Sequence, residues 1–469
     1  MPAVPLKITE ESLATMTSEE RKVAIREVAM ERYARPRANQ LVMTVSRLLI
    51  DHLGFPGLPL FARIPFLRRL IPWICGLRIT KVEVPDDDHA RMQAALAKEN
   101  ACFVAVNHAD FFTDVVVDWH LMGRVAKRIA FWAGYGIVNM PGLRWFWLNH
   151  NLIATTGGGD GKRYSIENAR RGDGVLIHSE GNVFFTNDHV QPLFPGVATM
   201  AIDTAQAIAD DGEARRTFVL PIAYRYRFVD DASVGLAREM RFVERRLALP
   251  SGEGLDVGPR FFALMRHVLL REEKKAGLPE RPLDDASYFA RSEALLAHLI
   301  DSTAKELDVV ERVSQPGDTP RDRIRHLEKA ARFLKAKEPS RYQIVWARIA
   351  LMHRLEQFSP RYYASSTLSQ ENMAECMKRL RFDTIEGKLT DILRKFIPFP
   401  VADRIVHVRV AEPVDVTPYL ASHPKNAARV EAVRHLVEER MRAALHRGLD
   451  DSKAATDRFA VVNAFAPAR

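Results

Sequence analysis

Three cysteines in 469 residues, Cys75, Cys102 and Cys376, are too few and too scattered for a disulfide framework. With no CxxC pair among them, a cysteine zinc site is not expected and a reducing compartment fits best. No run reaches the 18 or more uncharged apolar residues of a spanning helix. The stretch 129–143, IAFWAGYGIVNMPGL, has no Lys, Arg, Asp or Glu, yet its glycines and Pro141 argue against a membrane span. The opening residues, MPAVPLKITEESLATMTSEERK, carry acids where a secretory signal has its apolar core, so no export segment is expected. The pattern G-x-S-x-G is missing, which disfavours a serine hydrolase of the elbow type. GGGDGKR at 157–163 fits neither the P-loop nor the dinucleotide-binding spacing.

What is present is apolar side chain enough, at 47% hydrophobic and 27% charged, for two or three domains with their own cores. The net charge of +9 is unevenly placed. Leu41 to Lys81 holds six basic residues against one acid, and Leu121 to Gly172 holds eight against two, so the remainder is slightly acidic. Five of the six tryptophans lie in or beside these two windows. Cations interleaved with Trp, Phe and Leu suit an anionic lipid surface, and they equally suit a half-buried helical face with solvated arginines. No nucleic-acid-binding motif accompanies the charge, so no nucleic-acid partner is expected.

From about 91 to 230, short β-rich runs (ACFVAV, RIAFWA, NLIATT, GVLIHS, TFVLPIAYRY) alternate with helical spacing (RWFWLNH, KRYSIENARR, ATMAIDTAQAIA), which predicts an α/β domain. Pro195 and Gly196 are placed at a turn into a helix, and Pro221 is read as interrupting the last of these strands. Residues 259–398 are amphipathic throughout and read as a helical unit. Strand-like alternation returns in RIVHVRVAEPVDV, 404–416, followed by a helix ending at Gly448. The late strand implies that the helical unit is inserted into the α/β domain. The expected organisation is therefore an apolar-basic helical segment at 1–90 that associates with a membrane, and the main α/β part at 91–258. The inserted unit at 259–398, the closing strand and helix at 399–450, and a tail at 451–469 follow.

His108 stands after ACFVAV and Asn107, at the C-terminal edge of a strand, where open α/β sheets place their ligand sites. The residues that follow, DFFTDVVVDWHL, can form a helix with Asp110, Asp114 and Asp118 at i+4 spacing. A local turn bringing Asp114 back to His108 would give a base whose second nitrogen is fixed by a carboxylate. A buried histidine satisfied by a carboxylate for purely structural reasons gives the same pattern. Metal ligation by His108, Asp110, Asp114 and His120 is open, although those spacings match no helical metal motif. His178 fits either a phosphate contact or a satisfied loop histidine.

VNHADFFTD resembles the first block of the glycerolipid acyltransferase family, the PlsC-like or lysophosphatidate acyltransferase type, with five residues rather than four between His and Asp. NLIATTGGGDGKRYS resembles the second block, LIHSEGNV the third, and LFPGVATMA with VLPIAYRY the fourth; VRVAEPVDV resembles the closing strand. The resemblance covers roughly 91–230 and 404–447. It implies a PlsC-like domain with a mixed sheet flanked by helices, and transfer of an acyl group from acyl-CoA or acyl-carrier protein to a lysophospholipid or related lipid hydroxyl. His108 and Asp114 would be catalytic, and Glu180 and Gly181 would help bind the acceptor. No metal and no cofactor beyond the thioester co-substrate are implied, and the chain would sit peripherally on the cytoplasmic face of a membrane. Val183 stands where the third block has an arginine, and the second block lacks its arginine too, which weakens the case for a phosphate-bearing acceptor. Lys162 and Arg163, at a helix start after GGGDG, are the candidates to replace them. The alternative reading is a lapsed relative that binds lipid or thioester as a membrane scaffold.

Overall fold

The computed structural model describes residues 33–51, 78–126, 128–155, 159–383, 401–422 and 426–466. It separates into two compact units, residues 1–227 with 397–452, and 228–396 with 453–469. The boundary at 227/228 falls earlier than the one read at 258/259, because helix Ser233–Arg246 packs on helices Val257–Lys275 and Gln370–Asp383 of the second unit.

The first unit begins with helix α1 (Gln40–Leu49), strand β1 (Ile79–Glu83) and helix α2 (Asp86–Ala95). Alternating elements follow: β2 (Ala101–Val106), α3 (Phe111–Val125), β3 (Ala130–Ala133), α4 (Arg144–Asn149), β4 (Leu152–Ala154), α5 (Asp160–Arg170), β5 (Val175–His178), α6 (Gly196–Asp210) and β6 (Thr217–Phe228). All six residues of β2 are buried, as a strand covered on both faces requires. Its side chains divide by parity: Cys102, Val104 and Val106 pack with Val116, Val117 and Met122 of α3, while Ala101, Phe103 and Ala105 pack with Val197, Ala201 and Ile202 of α6.

The second unit holds α7 (Ser233–Arg246), α8 (Val257–Lys275), α9 (Tyr288–Glu306), α10 (Pro320–Arg332), α11 (Pro339–Gln357) and α12 (Gln370–Asp383). Its core joins Phe261, Phe262, Tyr288, Phe289, Phe358 and Phe465 in edge and stacked contacts. Arg260 and Glu244 form a buried pair at 2.6 Å.

The chain then returns to the first unit with β7 (Arg404–Val410), β8 (Val414–Asp415) and α13 (Asn426–Asp457). The eight strands form one sheet in the order β1-β7-β6-β2-β5-β3-β4, with β8 antiparallel on β6. The pairs β1–β7, β2–β6, β2–β5, β3–β5 and β3–β4 are parallel. Arg404 lies by Tyr226 while the Ala411 amide bonds Pro221 O, so β7 runs against β6 and its start lies at the C-terminal edge of β2. The sheet is therefore mixed and mostly parallel.

Two sequence expectations fail locally. Pro221 does not interrupt β6, which runs through it: Pro221 aligns with Ala105 and its carbonyl is the acceptor for Ala411. Gly448 does not end the last helix, which continues to Asp457. Arg409 and Arg225 pack beside it, with side-chain carbons 3.5 and 3.9 Å from where a Cβ would lie, an ordinary contact distance. No described helix is long and apolar enough to cross a membrane. The basic cluster Arg63, Arg68 and Arg69, along with most of 1–90, lies outside the described residues.

Buried Asp88 of α2 fastens β7: it accepts the Val410 amide at 2.9 Å and pairs with Arg91 and with Arg447 of α13. Asp88→Ala strands that buried amide and should lower the unfolding free energy by about 1–3 kcal/mol, read from the denaturant midpoint.

Candidate functional site

The chain leaves β2 at Asn107, whose side chain prolongs the ladder: Oδ1 accepts the Tyr224 amide at 2.7 Å and Nδ2 donates to Tyr224 O at 3.0 Å. That clamp fixes where the next residue emerges. The His108 amide donates to Glu180 Oε2 at 2.7 Å, and a turn through Ala109 and Asp110 leads into α3. Asp114, in the first turn of α3, reaches back to accept the Asp110 amide at 2.8 Å and to meet His108 Nδ1 at 2.7 Å through the same oxygen, Oδ2. A carboxylate here also suits the positive end of the helix. The other oxygen accepts the hydroxyl of Tyr226 on β6. Asn187 clamps Tyr226 as Asn107 clamps Tyr224, with both bonds at 2.7 Å.

A second triple lies beside the first. His178 ends β5, opposite Val106. Its Nδ1 meets Asn107 O at 2.9 Å and its Nε2 meets Asp118 Oδ2 at 2.9 Å. Asp118 lies one turn beyond Asp114 and accepts the Tyr224 hydroxyl at 2.8 Å. The two imidazoles stack, with centroids 4.1 Å apart and planes 20° apart. Asp110 is held by Arg404 Nη1 at 2.6 Å and Thr113 Oγ1 at 3.0 Å, and the Arg404 guanidinium lies over the Tyr226 ring.

Burial pushes the His108 ring well below the usual imidazole range, and His178 adds to that push. Burial likewise pushes the Asp114 carboxyl up to about 8, with Asp110 adding and His178, Tyr226 and the Asp110 amide opposing. Burial also opposes charge on His178, yet Asp118 outweighs it and lifts the ring to about 9. Tyr224 and Tyr226 are held far above the usual phenol range, first by burial and then by the adjacent carboxylates, so both remain hydroxyl donors. The His108–Asp114 pair therefore keeps its last shared proton until about pH 8. Once it is lost, a carboxylate orients Nδ1–H and Nε2 carries the lone pair.

Donor atoms of His108, Asp114 and His178 lie within 4.8 Å of one another, close enough to ask whether they would hold a metal. The donor set does not fit. Both His178 nitrogens face oxygen acceptors, and Asp114 already takes three hydrogen bonds. His120 is engaged elsewhere, with Asp51 at 2.5 Å.

The residues singled out from the sequence divide into two groups. His108, Asp114 and Glu180 converge. The buried Glu180 carboxylate accepts the amides of His108 and, at 2.6 Å, Gln191, so it braces the His108 turn. Gly181 beside it has φ +72° and abuts the Phe194 ring, which leaves no room for a Cβ. Lys162 and Arg163 start α5 after β4, which lies three strands from β2 in the sheet. They pair with Asp203 and Asp160. Sequence reasoning missed Tyr224, Tyr226 and Arg404. The two tyrosines share one face of β6 at i, i+2, a visible signal, whereas nothing local marks Arg404.

No protein-family model matches this chain, and no curated protein matches it either.

The shared proton gives a reactivity test. Carbethoxylation of His108, mapped by peptide mass spectrometry, should rise with pH and level off above about 8, as Nε2 gains its lone pair. A profile flat between about pH 6 and 9 would contradict the pairing.

Proposed function

We propose that the first unit transfers an acyl group from a CoA or acyl-carrier-protein thioester to a hydroxyl of a lysophospholipid or related lipid, with His108 as general base. One observation carries this reading: Nδ1 of a largely buried histidine, 14% exposed, is tied to a fully buried carboxylate at the C-terminal edge of a strand. The arrangement leaves Nε2 as the nitrogen for a substrate. His108 Nε2 takes the hydroxyl proton as the oxygen attacks the thioester carbon. The tetrahedral intermediate collapses, the C–S bond breaks, and the proton passes to the departing thiolate. No covalent acyl-enzyme is required.

Although the five-residue spacing departs from the family's four, the His108–Asp114 pair, the glutamate after β5 and the late β7 support the glycerolipid acyltransferase reading. They do so by convergence, since Asp114 orients His108 and Glu180 braces its backbone. A lipid acceptor and peripheral attachment are supported by the outward face of α1, where Leu41, Val45, Leu48 and Leu49 are exposed, and by exposed Trp145 in α4. The retained geometry of this pair favours catalysis over the scaffold alternative.

Purified protein should acylate at least one member of a lysolipid panel from labelled acyl-CoA or acyl-carrier protein. His108→Ala should cut turnover about 10²- to 10⁴-fold while thioester binding and thermal unfolding stay near wild type. Thioester binding without His108-dependent product would favour the scaffold. Because Lys162 and Arg163 are already paired at an exposed edge, changing both to Gln should alter half-saturation by phosphorylated and neutral acceptors alike by less than about twofold. A selective rise for the phosphorylated acceptor would place its phosphate there.

A further inference from the structure

The His178 ring makes two hydrogen bonds, and neither partner has a proton to give. Asn107 O is a carbonyl, and Asp118 Oδ2 belongs to a carboxylate whose other oxygen already takes the Tyr224 hydroxyl. With Asp118 ionised, both bonds form together only when both ring nitrogens carry hydrogen, which makes the ring a cation. With both N–H groups committed, His178 has no proton to pass to a substrate. It can act only through its charge, and that charge lies 4.1 Å from the His108 ring.

We propose that His178 is an imidazolium through neutral pH and a positioning residue for His108, its stacked charge lowering the pH at which the His108–Asp114 pair gives up its shared proton and becomes base-ready. The inference rests on the reading of His108 as the base.

The surrounding groups support this assignment. On α3, Asp110 is neutralised by Arg404 of β7, and Asp118 is paired with His178 itself. After β5, Glu180 faces the amides of His108 and Gln191. On β6, Tyr224 and Tyr226 remain neutral donors to Asp118 and Asp114. The deprotonated pair carries one negative charge, and the stacked His178 cation attracts it. The extra proton is disfavoured whichever partner would hold it, and the His178 charge accordingly opposes protonation of both His108 and Asp114. Without that charge the buried pair would keep its proton to higher pH.

The test uses the full chain labelled with ¹⁵N-histidine, its ring signals assigned from His108→Gln and His178→Phe spectra. In the wild type, His178 should show two protonated nitrogens from about pH 6 to 8, and the pair should titrate near 8. His178→Phe keeps a stacked ring without charge and should move the pair's midpoint up by about one pH unit or more. Asp118→Asn provides a second route should that variant fold poorly: His178 should become singly protonated by about pH 8. A singly protonated His178 at about pH 6 in the wild type, or an unmoved midpoint in His178→Phe, overturns the proposal. If lysolipid acylation is found, the acid limb of kcat/KM should shift with the midpoint. Shifted spectra without any acylation would sink the acyltransferase reading and leave this one standing; acylation with an unmoved midpoint would do the reverse.

Discussion

Four carboxylates, Asp110, Asp114, Asp118 and Glu180, are buried around a single turn, and keeping charge there requires a donor for nearly every oxygen lone pair. The rest of the first unit is arranged to supply them. Asp110 draws on Arg404 and Thr113, Asp114 on His108, Tyr226 and a backbone amide, Asp118 on His178 and Tyr224, and Glu180 on two amides. These donors come from β5, β6 and β7 as well as from the turn itself. The site is therefore a property of the sheet order rather than of one motif.

That dependence ties the site to the far end of the chain. β7 begins only after the second unit has been traversed, yet its first residue, Arg404, is the cation beside Asp110. Asp88 then secures the other end of the same strand through the Val410 amide. Closing loops of this length makes native pairing slow relative to the local βαβ steps. Until β7 docks, Asp110 lacks its guanidinium partner, so the completed site and the completed sheet arise together.

The sequence made the alternation of the first unit plain because strands buried on both faces are continuous apolar runs, as ACFVAV is. His108 and Asp114 were legible for a local reason: a turn followed by a helix start needs only the five intervening positions to be read correctly. Pro221 and Gly448 misled because both residues usually break regular structure, whereas here β6 and α13 run through them, with the Pro221 carbonyl taking the Ala411 amide. Arg404 was invisible, since a contact spanning nearly three hundred residues has no local periodicity. His178 was visible as a residue but not as a charge, because its protonation follows from two acceptors that only the folded chain sets against its ring.

The paired triples also obey a matching of two periods. Asp114 and Asp118 are separated by about 6 Å of helix rise, and Tyr224 and Tyr226 by about 6.8 Å of strand. The helix descends from the sheet edge as β6 climbs towards it, so Asp114 meets Tyr226 and Asp118 meets Tyr224. A mismatch below about 1 Å is absorbed within two rungs, but it would double at a third. Indeed Asp110, four residues earlier in the turn before the helix, pairs with Arg404. One residue inserted between Asp114 and Asp118 would rotate them about 100° out of phase and dissolve both rungs at once, whereas a residue added in the turn before Phe111 would alter only the approach of His108. Length variation in such a site is thus confined to the turn, and the helix behaves as a ruler whose graduations cannot be changed singly.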